Sequence, residues 1–281
     1  MRAENTIMRH VLVVLLTVLL GACSAASPEQ GAAAQASASA GAAAATASPT
    51  APAAAAAVKA VAVVASNPLY EFDYAYPAQA AAIPALGKWL DADLAKQRAE
   101  LVTNARIGQA EAKRSGFDYH PYSHATQWAV VTDLPGWLSL SAQRYEYAGG
   151  AHGNPWRDAL VWDKAVGQRL KASDLFASPA AVSAAIRAPF CAALDQQRAA
   201  KRGGAANAAA GDPFTACIDP VASTLILGSA DNAHFTRIGV LVGPYEAGPY
   251  SEGNYEVTLP VTAAVLRAVK PQYRNAFAAA R

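Results

Sequence analysis

The sequence predicts an α+β fold over residues 67–281, an antiparallel sheet packed against two or three helices. Three observations carry this. Residues 70–76 alternate aromatic with polar or small side chains, the period of a strand, and Pro77 ends the run. Ile83, Leu86, Leu90, Leu94 and Leu101 recur at helical spacing and share one face. Further on, short apolar or alternating runs follow one another with turn residues between them, the pattern of consecutive antiparallel strands.

The elements follow in order. Residues 78 to about 114 read as the first helix, ended by Gly116. Residues 128–132 form a short apolar strand, and Leu134-Pro135-Gly136 turns the chain. Residues 137–147 alternate, with Leu138, Leu140 and Ala142 on one face. Residues 158–162 form the return strand, and 163–167 turn it. A second helix covers 179–199. Strands follow at 223–227, 235–242 and 255–259, and a last helix begins near Pro260. No internal repeat stands out.

The N-terminal segment has a different character. Arg2, Arg9 and His10 precede the apolar run Val11 to Leu20. A bilayer span needs about 20 apolar residues, so this run reads as an export signal over residues 1–22. Leu20-Gly21-Ala22-Cys23 matches a lipobox, whose small residues fit the shallow pockets of a signal peptidase. Cys23 is therefore the expected site of lipid attachment, carrying palmitate-type acyl chains; two or more such chains hold a protein stably on a membrane. Ser24, rather than Asp, follows it. By resemblance to Gram-negative lipoproteins, this places the protein in the cell envelope at the outer membrane.

Residues 23–66 are rich in Ala, Ser and Pro, and after Cys23 their only charges are Glu29 and Lys59. Such a segment buries too little to offset its ordering entropy and reads as a disordered tether. As a coil it would span about 35–40 Å. The formal net charge of the whole chain is +2, which gives no electrostatic case for a nucleic-acid partner. Cys191 and Cys217 are an even pair in an exported chain and read as a disulfide; two free thiols are the alternative.

Two segments are candidates for binding. The first runs from Tyr145 through Tyr147, Gly149, Gly150 and His152 to Asn154. Its glycines allow positive φ and close approach of other groups. The second is Pro244-Tyr245-Glu246-Ala247-Gly248-Pro249-Tyr250-Ser251-Glu252-Gly253, a turn-rich loop between strands. Its tyrosines can bury a ring and keep a polar tip. Each segment also has a plain structural reading: a tight crossover at Gly149-Gly150, and a His152 that bonds a backbone carbonyl to hold its loop.

Together the two segments resemble the RsiV-like and PdaC-like envelope domains, a family known as domains of unknown function. The matching features are Tyr145 to Gly153, the turn at Gly167, Asp174-Leu175-Phe176, and the Pro244 to Gly253 loop. The likeness covers roughly residues 68–270, and the insertion between Cys191 and Cys217 departs from it. In that family one type is an anti-sigma factor whose outer domain binds lysozyme; another carries the domain beside a peptidoglycan deacetylase. The resemblance implies a non-catalytic binding module, with Tyr145, Tyr147, Gly149, Gly150, His152, Asn154, Tyr245, Glu246 and Tyr250 as its candidate binding residues. A lysozyme-like protein or peptidoglycan is the implied partner, and no cofactor is implied. Anti-sigma signalling does not carry over, because no cytoplasmic sigma-binding segment or second membrane span is read in this chain.

The alternatives are a peptidoglycan-acting hydrolase or deacetylase and a structural envelope lipoprotein. His120 and His124 have the spacing of two ligands on a helix, but Pro121 points to a loop there, and a zinc site needs further ligands. Gly-x-Ser-x-Gly is absent. The expectation is therefore no metal site and no catalytic residue.

Overall fold

The computed structural model describes residues 58–204 and 214–280. The signal segment, Cys23, nearly all of the tether and most of the insertion after Arg202 lie outside the described residues.

The fold is α+β. A six-stranded sheet has the order β1 (Val61–Ser66), β2 (Tyr70–Tyr76), β3 (Tyr122–Asp133), β4 (Trp137–Tyr147), β5 (Asn154–Asp163) and β6 (Gln168–Leu170). The expectation of an antiparallel sheet needs correction at one pairing: β2 and β3 run parallel. Two helices separate them, α1 (Ala78–Ala81) and α2 (Pro84–Ser115). A helical crossover returns the chain to the end where it began, so the next strand must be parallel. The remaining neighbours in this sheet pair antiparallel.

The tether boundary at residue 66 is also corrected. Val61–Ser66 form an edge strand, in register from Val61 opposite Tyr76 to Ser66 opposite Glu71. Alternation explains it: Val61, Val63 and Ala65 pack against the aromatic core face of β2, while Val64 points to solvent.

The helix expected over 78–114 breaks at Ile83. Pro84 then starts α2, where its missing N–H costs nothing, and Gly116 closes it at φ 72°. Leu86, Leu90 and Leu101 are buried against Phe72, Tyr74, Tyr76, Leu138 and Leu140, with Ile83 and Leu94 at the margin. This is the face that the spacing predicts. α2 thereby covers one side of the six-stranded sheet.

The opposite side contributes Trp137 and Val161 to a second core. That core is built on a three-stranded antiparallel sheet, β7 (Thr224–Gly228), β8 (Arg237–Val242) and β9 (Tyr255–Pro260). Helix α3 (Pro179–Arg202) packs Val182, Ile186, Phe190 and Leu194 into it, and α4 (Ala263–Ala268) adds Val265. Ser178 caps α3 by accepting from the Ala181 N–H, and Pro179 takes the first position.

Cys191 on α3 is joined to Cys217, with Cα atoms 5.5 Å apart. Nearby, Arg187 donates to the Cys217 carbonyl at 3.1 Å, and Arg198 donates to the Ala216 carbonyl at 3.1 Å. One face of α3 thus holds the segment that returns from the insertion.

Candidate functional site

The two candidate segments meet. The first is the β4–β5 connection, and the second joins β8 to β9. Gly149 and Gly150 sit at φ 93° and 89°, values that side-chain-bearing residues rarely adopt, so the pair permits this turn. Tyr147 donates to the Gly150 carbonyl at 3.2 Å and steadies it. Gly153 is buried under the ring of Tyr145, where any Cβ would collide with the phenol.

His152 then stacks on Tyr250, with ring centroids 4.1 Å apart and planes 23° from parallel. Tyr250 donates its hydroxyl to the Gly153 carbonyl at 3.0 Å, tying one loop to the other. Tyr245 lies beside both, 5.6 Å from the Tyr250 ring, with its oxygen 3.5 Å from His152 Nε2.

The tautomer of His152 follows from its partners. Nδ1 lies 3.0 Å from the Gly153 carbonyl, which can only accept, so Nδ1 carries the proton. In that tautomer Nε2 keeps its lone pair, and among the described residues it meets the Tyr245 hydroxyl at 3.5 Å. The surface therefore offers an acceptor nitrogen, an adaptable phenol and stacked aromatic faces. His152 and Tyr245 are both exposed, Tyr245 by 55%.

Tyr245 is also strained. Its φ is 69°, an outlier for a bulky residue. The loop enforces it: the Tyr245 N–H donates to the Gly248 carbonyl at 3.0 Å. The C-terminal turns of α3 brace this loop from beneath. Arg198, only 1% exposed, donates through Nε to the Ala247 carbonyl at 3.0 Å. Arg202 forks onto Glu252 at 2.7 and 3.0 Å. That pairing holds the Glu252 carboxyl below its usual range. Tyr255 donates to the same carboxylate, and burial together with this bond pushes its hydroxyl up to about 12. Strain at an exposed aromatic, held by buried supports, is a pattern of binding sites.

The predicted residues do not all join this surface. Glu246 instead accepts from Ser223 at 2.5 Å and ties the loop to the start of β7. Asn154 stands opposite Glu146 at the start of β5. Tyr145, Tyr147, Gly149 and Gly150 shape the loop.

His120 and His124 part company as well. His120 is exposed. His124 lies on β3, 5% exposed, stacked on Phe72 and 3.0 Å from the Thr126 hydroxyl. Burial pushes its pKa down, and the nearby Arg144 cation adds to the effect. Among the described residues, no three His, Cys, Asp or Glu side chains gather as metal ligands.

A second polar cluster went unpredicted. Under α2, Arg144 of β4 bridges Asp93 at 3.0 Å and Asp158 at 3.2 Å. Tyr74 donates to Asp93 at 2.7 Å, and Trp128 donates to the Tyr74 oxygen at 3.1 Å. Burial works to raise the Asp93 carboxyl, but the Tyr74 bond and the Arg144 cation outweigh it and hold it below its usual range. The sequence did carry a signal. Arg144 continues the register of Leu138, Leu140 and Ala142, an arginine on the apolar face of its strand.

Comparison with known proteins places these features. Residues 63–155, from β1 through the Gly149–Gly153 loop, match the family model described as Deacetylase PdaC. The chain thus resembles PdaC-type domains over that stretch. Its fold is that of a member of the DUF3298 family from Bacteroides fragilis, with a TM-score of 0.50 and 16% identity over 77% of this chain and 94% of that one. A DUF3298 family protein from Pseudomonas aeruginosa aligns with a TM-score of 0.47 and 18% identity, over 80% of this chain and 98% of that one. The search of curated proteins finds no match.

Proposed function

We propose that this is a lipid-anchored envelope protein whose PdaC-like domain binds a partner, a lysozyme-like protein or peptidoglycan, without transforming it. The observation that carries the reading is the meeting of His152, Tyr245 and Tyr250 on one exposed surface, with Tyr245 held in a strained backbone conformation. Partner interfaces favour such exposed, rigidly held tyrosines. The lipobox at Cys23 supports the membrane attachment.

The test is retention of hen lysozyme and of purified peptidoglycan sacculi by the immobilised protein at micromolar concentration. Tyr245→Ala and His152→Ala should each abolish retention of whichever ligand binds. Absence of retention for both ligands would show the named partners to be wrong. Acylation is tested separately, by incorporation of labelled palmitate that Cys23→Ala removes.

The alternative reading, a hydrolase acting on peptidoglycan, draws on the matched family's description as a deacetylase. It requires turnover of muropeptides that His120→Ala or His124→Ala eliminates.

A further inference from the structure

The Arg144 cluster does more than join α2 to the sheet. An open cleft of about 280 Å³ lies above it, lined by Trp89, Asp93, Arg144, Trp156, Asp158 and Arg169. The Arg144 side chain is 5% exposed, and its Nε has no acceptor among the described protein atoms. A buried N–H of this kind is costly unless something accepts from it.

We propose that this cleft binds a neutral saccharide unit. Four properties select that class. Arg144 and Arg169 are balanced by Asp93 and Asp158, so the lining has no surplus charge to attract an ion. Trp156 is 37% exposed, and the Trp89 ring carries the Arg169 guanidinium at 4.5 Å, which gives flat apolar surface beside polar groups. Sugar C–H faces pack on such surfaces. Asp158 is 44% exposed, with one oxygen on Arg144 and the other on the Ala159 N–H, and it has room to accept from a hydroxyl. The unpartnered Arg144 Nε is a donor for a ring or hydroxyl oxygen once the side chain shifts to expose it, since the atom is fully buried in this conformation.

Another ligand class fits less well. A wholly apolar ligand would bury the guanidinium and carboxylate groups without replacing their water. None of the residues that line the cleft belongs to the His152–Tyr245–Tyr250 surface, so this site stands or falls independently of the function proposed above.

The experiment is calorimetric titration of the full chain with cellotetraose and chitotetraose as neutral probes and tetragalacturonate as an acidic one. At least one neutral probe should bind with a dissociation constant below about 10 mM, and tighter than the acidic probe. Trp156→Ala should weaken it about 10-fold or more, and Arg169→Ala by a smaller factor. Both side chains are partly or fully exposed, and circular dichroism checks that each variant folds. The inference is overturned if neither neutral probe binds. Stronger binding of the acidic probe, or unchanged affinity in Trp156→Ala, would overturn it equally.

Discussion

Asp93→Ala tests whether the polar cluster under α2 is a structural keystone. Asp93 is 13% exposed and faces Arg144, which is 5% exposed, at 3.0 Å. Its removal leaves Arg144 with Asp158 alone, a carboxylate 44% exposed and therefore better solvated. It also strips the Tyr74 hydroxyl of its acceptor. Breaking one side of a buried ion pair costs about 3–5 kcal/mol, and the surviving Asp158 argues for the lower end, about 3 kcal/mol. For a domain of this size that is a fall in Tm of roughly 6–12 °C. Urea unfolding followed by tryptophan fluorescence reads the loss directly. The effect must also depend on pH. The folded-state pKa of Asp93 lies below its unfolded value, so its contribution is complete above the ordinary carboxylate range. It is lost as pH falls through the depressed folded value. The gap between wild type and Asp93→Ala should therefore close on acidification. A loss below about 1 kcal/mol at neutral pH, or a gap indifferent to pH, would refute the argument.

Three further outcomes are expected. The Cys191–Cys217 bridge spans 26 residues, and Cys191→Ala with Cys217→Ala should cost about 3.5 kcal/mol in urea unfolding by the chain-entropy relation. Tyr245→Gly should be more stable than Tyr245→Ala by about 1 kcal/mol, because both lose the ring but only Ala retains the left-handed strain; thermal unfolding of the pair decides it. Arg198→Met should destabilise by about 3 kcal/mol, through three carbonyls losing a donor, and should raise hydrogen exchange selectively in residues 244–253.

Much of the fold was legible because its cores follow simple periods. The α2 face was readable from five apolar positions, and β4 from its alternation. What escaped did so for physical reasons. β1 is built from Val, Ala and Ser, and its composition merges with the Ala-rich stretch before it. Only pairing with the aromatic face of β2 makes a strand of it. The parallel β2–β3 pairing is a consequence of the long crossover, which local pattern does not display. The Gly-rich and Pro-Tyr-Glu loops were noticed for their residue types, yet their contact crosses nearly a hundred residues of chain, from His152 to Tyr245. The braces beneath them were invisible because Arg198 and Arg202 look like ordinary basic residues in the last turns of a helix. Burial turns them into props for a loop fifty residues away.

The position of β1 also has a mechanical meaning. It is the outermost strand, bonded on one side only, and it is the first described element after the N-terminal segment. A pull on the chain ahead of Val58 reaches β1 before anything else. If the load comes across the sheet, the hydrogen bonds to β2 part in succession from the Val61–Tyr76 end, like a zipper; if it comes along the strand, they share it. In the zipper geometry β1 can peel away while the α2 crossover still clamps β2 to β3. The strand would then act as a fuse, yielding at low force and leaving the surface between the β4–β5 and β8–β9 loops undisturbed.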